Sequence, residues 1–365
     1  MAMAGIAEAS PVWVDFDQSV YFSVGRDAEG LPAPLPNDVF ARSAPQAVPP
    51  TSHGEVFVSP TGPSIAPDGT NQLVFSLAIL GLVPSDNLDA LSGGADGTWI
   101  SGRHLPGVLL FSVDPNAVGM VGSDVREEAV DEPPPDGDPG NEAAGDVFKS
   151  RPTAPFGSWE GTLIDPAKKS NDLIVDENAL GLQAPANAGL VPPEDDLDAL
   201  ETEGGPGIFF SLDSASPSIG GAVTPDDILL SPFGPFGIYA DGVTIGLVPG
   251  DDLDALVLSD AGTSLYLDPG VDEALFSLAP GSPSLYGPDG IPGTADDWSP
   301  GDVFYTNFTG GFGLYASHDY LGLEFGDNLN ALDIKATPEP ASMLLLGFGL
   351  VGLAGYALRR RRNKK

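Results

Sequence analysis

Carboxylates are the side chains of this sequence with the numbers and the spacing to do chemistry. Gly287-Pro288-Asp289-Gly290-Ile291-Pro292-Gly293-Thr294-Ala295-Asp296-Asp297, followed by Asp302, sets four of them on one Gly-rich stretch. Calcium takes about six to eight oxygen ligands, so Asp289, Asp296, Asp297 and Asp302 are the residues expected to hold a Ca2+ ion. Asp131, Glu132, Asp136, Asp138 and Glu142 occupy the corresponding place in the second of four sequence repeats. Neither stretch has the spaced Asp-x-Asp-x-Asp-Gly of an EF-hand, and solvated acidic loops between strands are the plainer reading.

Other chemistry-bearing side chains are sparse. There is no cysteine, which removes disulfides, thiol nucleophiles and cysteine–zinc sites. His53, His104 and His318 lie far apart in the chain and outside any nucleophile or zinc motif, and His318 reads as a surface residue. Ser23, Ser112, Ser211 and Ser277 recur in strand-like segments rather than in a Gly-x-Ser-x-Gly elbow. The phosphate-cradling Gly-x-x-x-x-Gly-Lys-Ser/Thr is absent. Among so many carboxylates a glycosidase pair can be neither picked out nor dismissed. Trp13, Trp99, Trp159 and Trp298 could stack on sugar rings, though packing is their plainer role. The expectation is a protein that is not an enzyme.

A fourfold repeat positions these side chains. Asp86-Asn87-Leu88-Asp89-Ala90-Leu91 returns as Asp195-Asp196-Leu197-Asp198-Ala199-Leu200, as Asp251-Asp252-Leu253-Asp254-Ala255-Leu256 and as Asp327-Asn328-Leu329-Asn330-Ala331-Leu332. The intervals are 109, 56 and 76 residues. Three elements precede each copy. The first is a Phe-Ser strand at Phe22, Phe111, Phe210 and Phe276. The second is an Asp-Val-Phe strand at Asp38, Asp146, Asp227 and Asp302. The third is a strand ending in Leu80-Gly81-Leu82, Leu180-Gly181-Leu182, Ile245-Gly246-Leu247 or Leu321-Gly322-Leu323. Within each motif copy, alternation puts Leu88 and Ala90 on one face and Asp89 and Leu91 on the other. The preceding acidic or amide pair suits a tight turn, with a cation-ligand role for these aspartates as the alternative.

Four short antiparallel strands, four times over, are the arithmetic of an all-β protein, most simply a β-propeller. Pairing the last strand into the first blade would close the ring and remove an open edge. A β-solenoid or tandem sandwiches are the alternatives. The organisation expected is an N-terminal segment 1–15, a β-repeat domain 16–335 with repeats at about 18–91, 98–200, 206–256 and 262–333, and a C-terminal segment 337–365.

Composition agrees. With 47 Gly and 37 Pro in 365 residues, long helix interiors are excluded from the body. At 42% hydrophobic with 18 Phe, the chain can bury a core. The 52 acidic residues face only 15 basic ones, a net charge of −37, and six of the basic residues sit in the last seven positions. Phosphate backbones and anionic headgroups would repel such a body, which excludes nucleic acid as a partner.

The chain ends distinctively. Thr337-Pro338-Glu339-Pro340 leads into an apolar run at 341–358, then Arg359-Arg360-Arg361-Arg362-Asn363-Lys364-Lys365. Eighteen helical residues reach about 27 Å, enough to span a hydrocarbon core, and the basic tail 359–365 holds that end cytoplasmic. This tail resembles the PEP-CTERM sorting signal of Gram-negative bacteria, in which Pro-Glu-Pro, a membrane helix and an arginine cluster address exported proteins to exosortase, a membrane peptidase. Thr337 stands where that family usually has Val. The resemblance implies that Pro338, Glu339 and Pro340 are the sorting motif and Arg359–Arg362 the basic anchor. At the other end, Met1–Pro11 has no basic or apolar signal region, but Ala7-Glu8-Ala9 fits a cleavage site. A start upstream of Met1 would leave this segment as a signal-peptide remnant.

The function expected is that of a non-catalytic exported protein, held briefly at the inner membrane, processed by exosortase and delivered to the cell surface or extracellular matrix. The alternatives are a cation-dependent carbohydrate-binding or adhesion module, with exopolysaccharide as its partner, and a polysaccharide hydrolase.

Overall fold

The computed structural model describes residues 20–334, apart from 33–36, 44–46, 48–49, 60–68, 94–97, 101–102, 106–108, 130–142, 151–170, 183–193, 203–206 and 264. Pro338–Pro340, the run at 341–358 and Arg359–Arg362 therefore lie outside the described residues, as do Asp131–Glu142, Trp13 and Trp159. No helix among the described residues is long and apolar enough to cross a membrane.

Four antiparallel sheets of four strands each form a four-bladed propeller. The first blade contains β1 (Val20–Ser23), β2 (Val56–Ser59) and β3 (Gln72–Phe75). The second opens with β4 (Leu88–Gly93). A hairpin of β5 (Thr98–Ile100) and β6 (Arg103–Leu105) then intervenes, before β7 (Leu109–Val113), β8 (Val147–Ser150) and β9 (Asn171–Val175) complete the sheet. The third blade is β10 (Leu197–Glu201), β11 (Ile208–Leu212), β12 (Ile228–Ser231) and β13 (Gly237–Ala240). The fourth is β14 (Leu253–Ser259), β15 (Glu273–Leu278), β16 (Val303–Thr306) and β17 (Phe312–Ala316).

The last strand, β18 (Ala331–Ile334), crosses back to the first blade and pairs with β1, Phe22 opposite Leu332 and Val20 opposite Ile334. The ring closes as expected, and a solenoid or tandem sandwiches do not describe it. Each sheet begins with the Leu-Asp-Ala-Leu strand, so blades run one strand out of phase with the sequence repeats. These four strands, β4, β10, β14 and β18, pack side by side around the axis.

Apolar packing holds the blades to one another. One buried cluster joins Val20, Phe22, Phe57 and Leu332 of the first blade to Ala255, Leu275 and Val303 of the fourth. Three further clusters fill the remaining seams. Within blades, Phe22 faces Phe57, Phe111 faces Phe148 and Phe276 faces Phe304, with ring centroids 6.1, 5.8 and 5.7 Å apart. Each buried Phe contributes about 1.5–3 kcal/mol, which is why the Phe-Ser and Val-Phe strands carry the repeat signature.

Three details differ from expectation. Asp38-Val39-Phe40 is not the second strand of its blade. The Asp38 carboxylate accepts from Ala41 N at 2.7 Å and caps the short helix α1 (Val39–Arg42). The strand role falls to the same acid-Val-Phe pattern in Glu55-Val56-Phe57. Second, the Leu-Gly-Leu ends are helical turns, not strand: α2 (Leu77–Leu80), α4 (Glu177–Leu180) and α5 (Gly242–Ile245), with α3 (Asp124–Ala129) lying earlier in the second blade. Gly81, Gly181, Gly246 and Gly322 have φ of +77°, +85°, +104° and +77°. The following Leu N–H returns to the start of each turn, as from Leu247 to Gly242 O at 2.8 Å and from Leu323 to His318 O at 2.9 Å. Third, strict alternation fails at Asp89: the register slips between Leu88 and Ala90, so Leu88 and Leu91 pack in one core cluster and Ala90 in another, rather than Leu88 and Ala90 sharing a face.

Candidate functional site: an acidic cluster on the propeller axis

Each innermost strand begins at the Asp–(Asp/Asn)–Leu–(Asp/Asn) pattern, and its positions have separate fates. The first Asp clamps backbone. Asp86 accepts from Val83 N at 2.7 Å, Val118 N at 2.8 Å and Gly119 N at 3.0 Å. Asp251 accepts from Val248 N and Ser284 N, both at 2.8 Å, and from Ser284 Oγ at 2.5 Å. Asp195 and Asp327 do the same for Ser218 and for Glu29 and Gly30. The turn reading of this position is observed. The Leu at the third position is fully buried in all four copies.

The second and fourth positions face the axis. Leu88 pairs with Val113 and Ala90 with Ser112, which leaves Asp89 as the extra residue of a β-bulge. Asp198 and Asp254 are extra residues of the same kind. A bulge bends the strand and re-aims one side chain, so these aspartates leave the alternating pattern and turn inward together. Asp114 and Asp213, at the ends of β7 and β11, join them; Gly25 and Ala279 stand at the equivalent places in the other two blades.

Burial and mutual repulsion dominate the electrostatics. Burial pushes Asp198 well above the usual carboxylate range, helped by the charges of Asp254, Asp196, Asp252 and Asp213. Asp196 is raised by burial and then by Asp89, Asp213 and Asp114. Asp89 is raised by burial, then Asp114 and Asp254. Burial lifts Asp252 to about 6, with Asp213 adding to it, and Asp254 to about 8, against a hydrogen bond from Asn328 that lowers it.

The cluster is lopsided. On the side of blades one and two, amides satisfy the acid: Asn87 Nδ2 and Asn330 Nδ2 both donate to Asp89, the latter at 3.2 Å. Arg26 binds Asp114 Oδ2 and Ser85 O, each at 2.5 Å. On the side of blades three and four the same positions are Asp196, Asp198, Asp213, Asp252 and Asp254. There Asp198, Asp213 and Asp252 each offer an oxygen within 4.8 Å of the other two, the one such acid group among the described residues. Asp196 Oδ1, Asp252 Oδ1, Asp254 Oδ2 and Asn328 Oδ1 accept no hydrogen bond.

The other residues singled out from sequence fall elsewhere. Asp289, Asp296 and Asp297 do gather on one exposed loop, where Thr294 Oγ1 lies 3.4, 2.8 and 3.1 Å from their oxygens. Asp302 is not brought to them. It is buried at the start of β16, accepting from Ser299 N at 2.8 Å, His318 N at 2.6 Å and His318 Nδ1 at 2.7 Å. Its role is to hold a turn, shared with Asp146 on Glu177 N and Asp227 on Gly242 N. His318 is accordingly half-buried and raised in pKa by Asp302, rather than a free surface residue. His53 is buried against Pro84 O at 3.1 Å, and burial lowers it. The four repeat serines bond carbonyls: Ser23 to His53 O, Ser112 to Ala144 O, Ser211 to Leu253 O and Ser277 to Leu329 O. Trp298 packs on Phe304 and Phe312, with centroids 5.1 and 5.5 Å away. His104 and Trp99 are backbone partners in the register of the β5–β6 hairpin.

Sequence reading overlooked Asp114 and Asp213 and treated the fourth motif position as one face of a regular strand. The available signal was an acid recurring inside an otherwise apolar strand.

The tail supplies the comparison with known proteins. Residues 336–362 match the family model for the PEP-CTERM protein-sorting motif. The match covers the Pro-Glu-Pro motif, the apolar run and the arginine cluster, and the propeller itself matches no family. No curated protein matches the chain. A PEP-CTERM tail is the mark of an exported protein whose membrane-anchored precursor is handled by exosortase.

Proposed function

We propose that the chain is a non-catalytic component of the cell surface or extracellular matrix, delivered there after exosortase removes its tail. The PEP-CTERM match at residues 336–362 carries this reading. Cleavage near Pro338-Glu339-Pro340 would discard six of the 15 basic residues and set free an almost wholly acidic body. Closure of the ring by β18 covers the edge that β1 would otherwise expose, which suits life outside the cell, since unpaired edges invite aggregation. The non-catalytic part draws support from the repeat serines, His53 and His318, which are committed to structural hydrogen bonds.

Mass spectrometry of the mature protein from exosortase-positive cells tests the delivery. Its C-terminus should lie close to Pro340, with the Arg359–Lys365 peptide missing; finding that peptide on all of the mature protein leaves a plain anchor. Turnover of extracted exopolysaccharide, lost in Asp254→Asn, would overturn the non-catalytic part.

A further inference from the structure

The carboxylates of Asp198, Asp213 and Asp252 come from three separate places, inside β10, after β11 and before β14. Pairing of β10 with β11 sets Asp198 beside Asp213, and packing of blade three on blade four brings Asp252 to them, all three within 4.8 Å of one another. Carboxylates so close repel one another in a partly dry setting: Asp198 is disfavoured as a charge first by burial and then by four further aspartates. Elsewhere in the cluster the fold relieves such repulsion with the amides of Asn87 and Asn330 and with Arg26. Asp252 instead stands where the motif has Asn87 and Asn328 in other blades, and Asp198 where the first blade has Asn330.

A second observation is independent of the charge count. Asp254 is 7% exposed, it neighbours Asp252 and Asp213, and its Oδ2 accepts no hydrogen bond. Buried carboxylate oxygens are ordinarily satisfied, so one left over beside three others points to a missing positive ligand. Asp252 Oδ1 is in the same condition, while Ser214 donates to the Asp252 carboxylate and fixes its orientation.

We propose that Asp198, Asp213 and Asp252 bind one calcium ion on the propeller axis, with Asp254 and Asn328 completing its oxygen shell. The donor set is all oxygen, which selects hard cations over zinc or copper. Opposite ligands of calcium stand about 4.6–5.2 Å apart, so oxygens within 4.8 Å fit on one coordination sphere. Magnesium would draw opposite ligands to about 4.1 Å and demand near-octahedral order, which three rigid blades do not offer. The ion would tie blade two's successor to blade four and cancel the repulsion that the ring encloses. It is separate from the Asp289–Asp297 loop and independent of the sorting tail.

The test is calorimetric titration of the EDTA-treated full chain with calcium chloride, alongside thermal melts. Calcium at roughly a hundredfold excess over Kd should raise Tm by about 5 °C or more. The double variant Asp198→Asn with Asp252→Asn should lose at least about tenfold in affinity while still melting cooperatively in EDTA, because amides relieve the repulsion. Asp213→Asn, at a half-buried position, gives the same reading should the double variant fail to fold. A triple change of Asp289, Asp296 and Asp297 to Asn should leave axial binding intact. The proposal is overturned by the absence of calcium binding, by binding lost in the loop variant and kept in the axial ones, or by magnesium matching calcium at equal concentration.

Discussion

Asp251 and Asp254 stand three residues apart in one motif, yet their removal should change stability in opposite directions. Asp251 is fully buried, and its carboxylate accepts two backbone N–H groups and one hydroxyl at 2.5–2.8 Å. Hydrogen bonds to a charged group are worth about 1.5–3 kcal/mol each, and Asp251→Ala strands two backbone donors as well. Ser284 is only half-buried and can turn to water, so the expected loss is about 3–5 kcal/mol rather than the full sum. Asp254 is also buried, but its charge sits against Asp252 and Asp213, and burial lifts its pKa to about 8. At pH 9 in EDTA, Asp254→Asn removes an unfavourable charge and should raise the melting temperature. Circular-dichroism melts of the two variants and the parent, in EDTA with and without urea, give the comparison. An Asp251→Ala protein melting within about 1 °C of the parent would contradict the clamp. An Asp254→Asn protein destabilised as much as Asp251→Ala would refute the assignment of the two positions to different roles.

Further outcomes follow from the same geometry. Asp252 and Asp254 titrate near 6 and 8 in the folded chain, above the ordinary carboxylate value of 3.8, so the native state holds more protons than the unfolded one across that range. Stability of the EDTA-treated protein should therefore fall as pH rises through 6 and then 8, the reverse of an ion-paired aspartate, and a pH series of urea melts measures the slope. His318, raised by Asp302, adds a loss of the same sign as pH rises through its folded value. Leu332→Ala empties a buried site in the closing strand and should cost about 2–5 kcal/mol in denaturant unfolding, with unchanged stability arguing that the seam does not hold the ring. Gly246→Ala forces φ of +104° on a Cβ placed 2.6 Å from Gly311 Cα, and a loss of at least about 1–3 kcal/mol is expected; a melt equal to the parent would show that the turn relaxes freely.

Much of the fold could be read from sequence because the repeat is written in residues that local physics constrains. Phe and branched residues marked the strands, and the fourfold order of elements led to a propeller closed by its last strand. Two assignments failed where one short pattern has two meanings. Asp-Val-Phe, or Asp-Ile-Leu at Asp227, opens a strand at Asp146, Asp227 and Asp302 but caps a helix at Asp38, whose carboxylate reaches Ala41 N. Leu-Gly-Leu looks like a strand end, yet a glycine at positive φ permits the turn that closes on the following Leu N–H. Neither choice is visible without the backbone hydrogen bonds.

By itself the sequence determined the sorting tail, since Pro-Glu-Pro, an apolar run and an arginine cluster act in linear order and need no tertiary contact to be recognised. It also pointed to a turn at Asp86, Asp251 and Asp327, each of which accepts from the N–H three residues earlier, while their reach to Val118, Ser284 and Glu29 came from the fold. The axial cluster was decided only by tertiary structure. Asp198, Asp213 and Asp252 have no common spacing, and Asp289, Asp296, Asp297 and Asp302, which share one, are split between a solvated loop and a buried turn. The reason is that strand alternation assigns side chains to faces, whereas a bulge at Asp89, Asp198 and Asp254 overrides it. Packing of β4, β10 and β14 side by side then brings those re-aimed carboxylates from three blades onto one axis.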